Sequence, residues 1–134
     1  MKKNLFFAIV GLAIVFFATS CSKSDTPPPP GGTTPQGNWV GDRTSLGGPT
    51  FYFALNLQAN GVLVVSDNNA VTPDIANGTW SLVADSVRAT YTYTGSSATY
   101  SIAGKYTTTS KIMYGTIGPG TSTSGAGVFS VTKQ

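Results

Sequence analysis

A strict alternation of apolar and polar residues near the middle of the chain is the feature that most constrains its fold. Val87, Ala89, Tyr91 and Tyr93 alternate with an arginine and three threonines. Successive side chains of a strand point to opposite faces, so this pattern predicts a strand with one buried and one solvated face. No convincing helical periodicity occurs between residues 37 and 134, and we therefore expect an all-β domain there.

Turn signals divide this region into eight short strands. The predicted strands are about Gly37–Arg43, Thr50–Leu57, Val62–Ser66, Ala76–Ala84, residues 87–94, Ala98–Gly104, Lys111–Ile117 and Ala126–Thr132. Asn60-Gly61 is expected to form a tight hairpin turn because both residues tolerate positive φ. Eight sequential strands predict a single small antiparallel up-and-down β-barrel, since closure removes exposed edges. Such a barrel holds packed side chains or one small ligand.

The composition excludes several classes of catalytic site. The chain has 134 residues, no histidine, one cysteine and five acidic residues, all of them aspartates. No nucleophile–base pair and no cluster of metal ligands can be assembled from these residue types, so we expect neither enzymatic activity nor a cofactor. The oxygen-rich loop Asp67, Asn68, Asn69 and Asp74 is interpreted as a solvated turn, because a calcium loop carries more carboxylates.

The N-terminal segment has the pattern of an export signal. Lys2 and Lys3 precede an uncharged apolar run that ends in small residues before Cys21. This arrangement resembles the lipobox of bacterial lipoproteins, which implies that residues 1–20 are removed and that Cys21 carries a lipid anchor. The alternative is ordinary signal cleavage with a leftover cysteine. Removal of residues 1–20 lowers the formal charge from +3 to +1, so no anionic partner and no nucleic acid is predicted.

Residues 21–36 lack large apolar side chains and contain four consecutive prolines. We interpret them as a disordered tether, with a proline-rich ligand for an SH3-like partner as the alternative. The segment after Cys21 is also similar to that of Bacteroidota lipoproteins. This similarity implies a protein anchored to the outer membrane, facing either the periplasm or the cell exterior.

Short motifs in the barrel region resemble those of small lipocalin-like domains. They are Gly37-Asn38-Trp39, Phe51-Tyr52-Phe53 followed by Asn60-Gly61, and Gly78-Thr79-Trp80-Ser81-Leu82. The resemblance implies a small barrel that takes small apolar ligands. Larger lipocalins place an arginine of the last strand against the tryptophan, whereas this chain has Lys133 near that position.

Aromatic residues are the candidate ligand contacts. The expected interior set is Trp39, Phe53, Trp80, Tyr91, Tyr93, Tyr100 and Tyr114. The two tryptophans either stack on a ligand or plug the barrel floor, and the tyrosines either line a cavity or pack with their hydroxyls at its rim. The expected function is binding of a small apolar or amphiphilic ligand by a lipid-anchored envelope protein. The alternative is a non-catalytic accessory module whose threonine-rich outer faces contact another envelope protein or a glycan.

Overall fold

The computed structural model describes residues 34–68 and 71–134, which form a closed antiparallel β-barrel. Its strands are β1 (Gly37–Ser45), β2 (Thr50–Leu57), β3 (Val62–Asp67), β4 (Asp74–Val83), β5 (Ser86–Tyr93), β6 (Thr99–Thr107), β7 (Ile112–Pro119) and β8 (Gly127–Lys133). Each strand pairs with the next one along the chain, and β8 pairs with β1. The predicted all-β, eight-stranded, up-and-down barrel is therefore confirmed. Within the described ranges, no helix is long and apolar enough to cross a membrane.

The two ends of the barrel differ in what they carry. Because neighbouring strands run in opposite directions, the loops after β1, β3, β5 and β7 all lie at one end, which we call the open end. The chain joins the barrel at the other end, at Gly37, and the loops after β2, β4 and β6 lie there too. We call this the closed end, because buried side chains fill it.

All eight strands contribute apolar side chains to one core. The buried side chains are Trp39, Phe53, Leu55, Leu57, Leu63, Val65, Ala76, Val87, Ala89, Tyr91, Ile102, Met113, Ile117, Phe129 and Val131. In β2, β3, β5 and β8 these residues alternate with more exposed ones, as the period of a strand requires. Edge-to-face packing of Phe53 and Phe129, with ring centroids 5.8 Å apart, fills the middle of the barrel.

Residues 34–36 pack against the closed end. The Trp39 indole Nε1 donates a hydrogen bond of 2.7 Å to the carbonyl oxygen of Pro35, which is itself fully buried. The Lys133 amine donates to the carbonyl oxygen of Thr34 at 3.0 Å and lies 5.8 Å from the Trp39 ring centroid. Thr34 and Pro35, which were expected to belong to the tether, are therefore held against the barrel. The predicted signal peptide, Cys21 and residues 21–33 of the tether lie outside the described residues.

The turn between β2 and β3 has the backbone expected from its sequence. Asn60 and Gly61 have φ angles of 66° and 79°, the left-handed region that asparagine and glycine tolerate. The Gln58 amide donates to the carbonyl oxygen of Val62 at 2.9 Å and closes the turn. The local sequence therefore favours the reversal of the chain here, and Trp80 adds a hydrogen bond to the carbonyl oxygen of Gln58.

Candidate functional site

A pocket of about 640 Å³ opens at the open end of the barrel. Its volume is within the range of small-molecule sites. We call it the mouth pocket. Its lining includes three tyrosines, Tyr91, Tyr93 and Tyr100; three charged residues, Arg43, Asp67 and Asp74; and the apolar residues Pro73, Ile75, Ala98, Ile117 and Ala126. Buried side chains therefore fill the barrel towards the closed end, and the pocket lies at the open end, where it opens to solvent.

The three tyrosines form one aromatic cluster on β5 and β6. Tyr91 lies opposite Tyr100 in the strand register, and their rings stack with centroids 6.1 Å apart and an interplanar angle of 29°. Tyr93 packs edge-on against both rings, at 5.8 Å from Tyr91 and 6.0 Å from Tyr100. This cluster gives the pocket an apolar wall whose members carry hydroxyl groups.

A buried ion pair lies in the same pocket wall. The Arg43 Nε and Nη2 atoms donate to Asp67 Oδ2 at 2.7 Å and 2.6 Å. The Tyr93 hydroxyl donates to the same oxygen at 2.6 Å. The side chain of Asp67 is only 6% exposed, whereas that of Arg43 is 25% exposed. Three donors therefore converge on one carboxylate oxygen, and such charge-assisted bonds are stronger than neutral ones.

The other carboxylate oxygen of Asp67, Oδ1, differs from Oδ2 in its hydrogen bonding. Oδ1 is buried and makes no hydrogen bond with any described residue. A buried acceptor without a donor is uncommon in folded proteins, because its lost hydration is not replaced. Among the described residues of the pocket wall, Asp67 Oδ1 is thus a buried side-chain acceptor that lacks a hydrogen bond.

Arg43 is fixed by more than its carboxylate partner. Its Nη1 atom donates to the Ser45 hydroxyl at 3.2 Å, and its Cζ atom lies 4.7 Å from the ring centroid of Phe51. The strand order explains how the pair forms, because β1 and β3 flank β2, with Arg43 opposite Phe51 and Asp67 opposite Phe53. The guanidinium is thus oriented across β2 by residues at the open end.

Burial and the ion pair change the pKa values of the ionisable side chains. Burial alone lowers the pKa of Arg43, but the hydrogen bonds and the charge of Asp67 outweigh it, and the pKa is raised. Burial is the main cause that raises the pKa of Tyr91. Burial and then the hydrogen bond to Asp67 raise the pKa of Tyr93. Both phenols are therefore neutral hydrogen-bonding groups at physiological pH.

The predicted site residues divide between the two ends of the barrel. Tyr91, Tyr93 and Tyr100 line the mouth pocket. Trp39 and Phe53 are buried in the core and do not line it. Trp80 is half-buried near the closed end, where its Nε1 atom donates to the carbonyl oxygen of Gln58 at 2.9 Å. The tryptophans therefore lie away from the pocket, as the interpretation of them as floor residues requires.

The placement of Tyr114 in the barrel interior is wrong. Its side chain is 53% exposed and lies on the outer face of β7, because the buried Met113 and Ile117 occupy the inward positions of that strand. Tyr114 follows Met113 directly, so only one of the two can face the core. The flexible methionine fits between Gly104 and Phe129, whereas the tyrosine keeps its hydroxyl in solvent.

Sequence reasoning missed the two charged residues of the pocket wall. Arg43 has the same parity in β1 as the buried Trp39, and Asp67 the same parity in β3 as the buried Val65. Charged residues at inward positions of two strands are a signal for an internal ion pair, because unpaired charges are not tolerated there. The pairing itself required the strand order.

The oxygen-rich loop of residues 67–74 is only partly within the described residues. Asp67 is engaged by Arg43, and Asn69 lies outside the described residues. Among residues 34–68 and 71–134, no three histidine, cysteine or acidic side chains gather closely enough to hold a metal ion.

In comparisons with known proteins, no family model, no curated protein and no solved structure matched the chain.

Proposed function

We propose that this protein is a lipid-anchored envelope lipoprotein whose barrel binds a small amphiphilic molecule in the mouth pocket. The observation that carries the proposal is a pocket of about 640 Å³ at the end of an otherwise filled barrel. A barrel with a purely structural role gains nothing from leaving that end hollow, because close packing of apolar side chains stabilises the fold.

The lining favours an amphiphile over a purely apolar ligand. The tyrosine rings, Ile75 and Ile117 offer apolar surface, but Arg43 and Asp67 form part of the same wall. The pocket wall thus combines apolar and polar surface, and in small-molecule sites the polar groups fix the orientation of the ligand. A hydrocarbon without a polar group displaces water from these side chains and does not replace its hydrogen bonds, which lowers its affinity.

The anchor is proposed from the sequence and is compatible with the barrel geometry. Cys21 follows an apolar run and small residues in the manner of a lipobox. The described chain joins the barrel at the closed end, where Trp39 and Lys133 hold residues 34 and 35. The described chain therefore enters the barrel at the end opposite the pocket.

An accessory role is the second candidate, and the outer surface is the observation that favours it. Threonine hydroxyls pair across strands at Thr44–Thr50 and Thr92–Thr99, both at 2.9 Å. Such exposed hydroxyls suit contacts with a protein or a glycan. Affinity capture from native membranes that returns no reproducible partner would count against this candidate.

Calorimetric titration tests ligand binding by the mouth pocket. The full chain carrying Cys21→Ser, so that no anchor lipid competes, is titrated with n-octanol, n-octylamine and octyl glucoside below their micelle concentrations. We expect saturable binding, and we expect Ala98→Trp to weaken it because Ala98 lines the pocket.

The matched control is Ser130→Trp, which adds the same side chain on the exposed outer face of β8. It should bind the probes as the unmodified barrel does. Absence of saturable binding for every probe refutes the proposed function, as does equal weakening by the two tryptophan variants.

A further inference from the structure

We propose that the mouth pocket selects amphiphiles whose head group donates a hydrogen bond, a hydroxyl or an amine, and discriminates against carboxylate heads. Asp67 is the residue that makes this selection. This inference rests on the proposed binding function and specifies the class of ligand that the pocket takes.

The first argument is the unequal use of the two Asp67 oxygens. Oδ2 accepts from Arg43 and Tyr93, whereas Oδ1 is buried and accepts from no described residue. The hydrogen bonds to Oδ2 hold the carboxylate in place, and the side chain is only 6% exposed. Oδ1 has almost no exposed surface, so a head group reaches it only when the pocket wall adjusts. A donor that does so gains a charge-assisted bond to an acceptor that is already held in place.

The second argument is the charge of the lining. Among the described residues that line the pocket, the charged ones are Arg43, Asp67 and Asp74. Asp67 and Asp74 are direct partners in the β3–β4 register, so two carboxylates lie on one side of the pocket. With one cation and two anions, the pocket carries a net charge of −1.

Arg43 is poorly placed to bind an anionic head group. Its guanidinium already donates twice to Asp67 and once to Ser45, and it lies over the ring of Phe51. The N–H groups that these bonds leave over lie beside the Asp67 carboxylate, so an anionic head that approaches them is also repelled by that carboxylate. The uncompensated charge is that of Asp74, which repels a carboxylate and attracts an ammonium group.

The apolar part of the ligand is placed by the same geometry. Asp67 accepts from Tyr93, and Tyr93 packs edge-on against the stacked Tyr91 and Tyr100. A head group at Asp67 therefore puts the attached chain along the tyrosine cluster. This continuity between an acceptor and an apolar wall is what an amphiphile requires.

The test uses three probes with the same eight-carbon chain and different heads: n-octanol, n-octylamine and octanoate. Binding to the full chain carrying Cys21→Ser is measured by calorimetry at neutral pH. We expect octanol and octylamine to bind at least about tenfold more tightly than octanoate, the effect of one hydrogen bond to a charged group. Equal affinities, or tighter binding of octanoate, overturn the inference while the binding function stands. No binding of any probe refutes the binding function itself.

Two variants identify the residue responsible. Asp67→Leu combined with Arg43→Met removes both charges while keeping similar side-chain volumes, so that no unpaired buried charge remains. In this double variant octanol should lose most of its advantage over octanoate and keep only the part that the charge of Asp74 provides. Retention of the full preference by the folded double variant overturns the role of Asp67.

Asp74→Asn separates the contribution of the second carboxylate. It should reduce the preference for octylamine and leave octanol bound more tightly than octanoate. Loss of the octanol preference in this variant assigns the selection to Asp74 and overturns the role of Asp67. The control is Asp85→Asn, which removes an exposed carboxylate paired with Lys105 at the closed end and should change no probe affinity.

Discussion

The buried ion pair predicts a specific non-additivity of two substitutions. Arg43→Met removes the cation and leaves the carboxylate of Asp67 only 6% exposed with the Tyr93 hydroxyl as its remaining partner. Asp67→Leu removes the anion and leaves Arg43, which is 25% exposed and able to turn towards water. The two single substitutions should therefore destabilise the barrel unequally.

The magnitudes follow from the burial of each remaining group. An uncompensated buried charge costs about 3 kcal/mol or more, which we assign to Arg43→Met. Asp67→Leu should cost about 1–2 kcal/mol, because the arginine regains hydration while its hydrogen bonds are lost. The double variant should be within about 1 kcal/mol of the unmodified barrel, since both charges are gone and the volume is conserved. The coupling between the two positions is then about 3–5 kcal/mol.

Equilibrium unfolding in urea, followed by circular dichroism, measures all four proteins. For a domain of this size Arg43→Met should also lower the melting temperature by roughly 12–24 °C. The reasoning is refuted if the two single costs add up in the double variant, because the groups would then be acting independently. It is equally refuted if Asp67→Leu is the costlier single substitution.

Three further predictions concern other parts of the molecule. Trp39→Phe removes the hydrogen bond to Pro35 and should destabilise the barrel by about 1 kcal/mol, measurable by urea unfolding, whereas an unchanged midpoint contradicts a role in closing the barrel floor. Because the folded pKa values of Tyr91 and Tyr93 are raised, their contribution to stability is complete below the ordinary tyrosine pKa of about 10 and is lost as pH rises above it; phenolate absorbance should show both residues resisting ionisation until the barrel unfolds. Cys21→Ser should abolish incorporation of a labelled fatty acid and release the protein from membranes, and persistent labelling excludes this cysteine as the attachment point.

The fold could be predicted from the sequence because the alternation of apolar and polar residues in a strand indicates which of its faces is buried. The alternation from Val87 to Tyr93 specifies which face is buried, and turn residues such as Asn60 and Gly61 specify where the chain reverses. These are local properties that need no partner strand to be recognised. The eight-stranded closed barrel followed from their number and spacing.

Local patterns were less informative where two neighbouring residues suit the core equally. Met113 and Tyr114 both have apolar bodies, and the sequence favoured the aromatic one for the interior. The strand register decided otherwise, because Met113 lies opposite Tyr106 on one side and Val131 on the other. The space left by Gly104 and Phe129 is filled by the methionine.

By itself, the sequence determined an all-β barrel and its strands, because side-chain alternation and turn preferences are encoded over a few residues. Only the tertiary structure decided that the hollow part is the open end and that Arg43 and Asp67 meet there. These two residues are separated by 24 positions, and they come together because β2 lies between their strands. Hydrogen bonding between distant side chains depends on strand order, register and barrel closure together, and no local pattern contains that information.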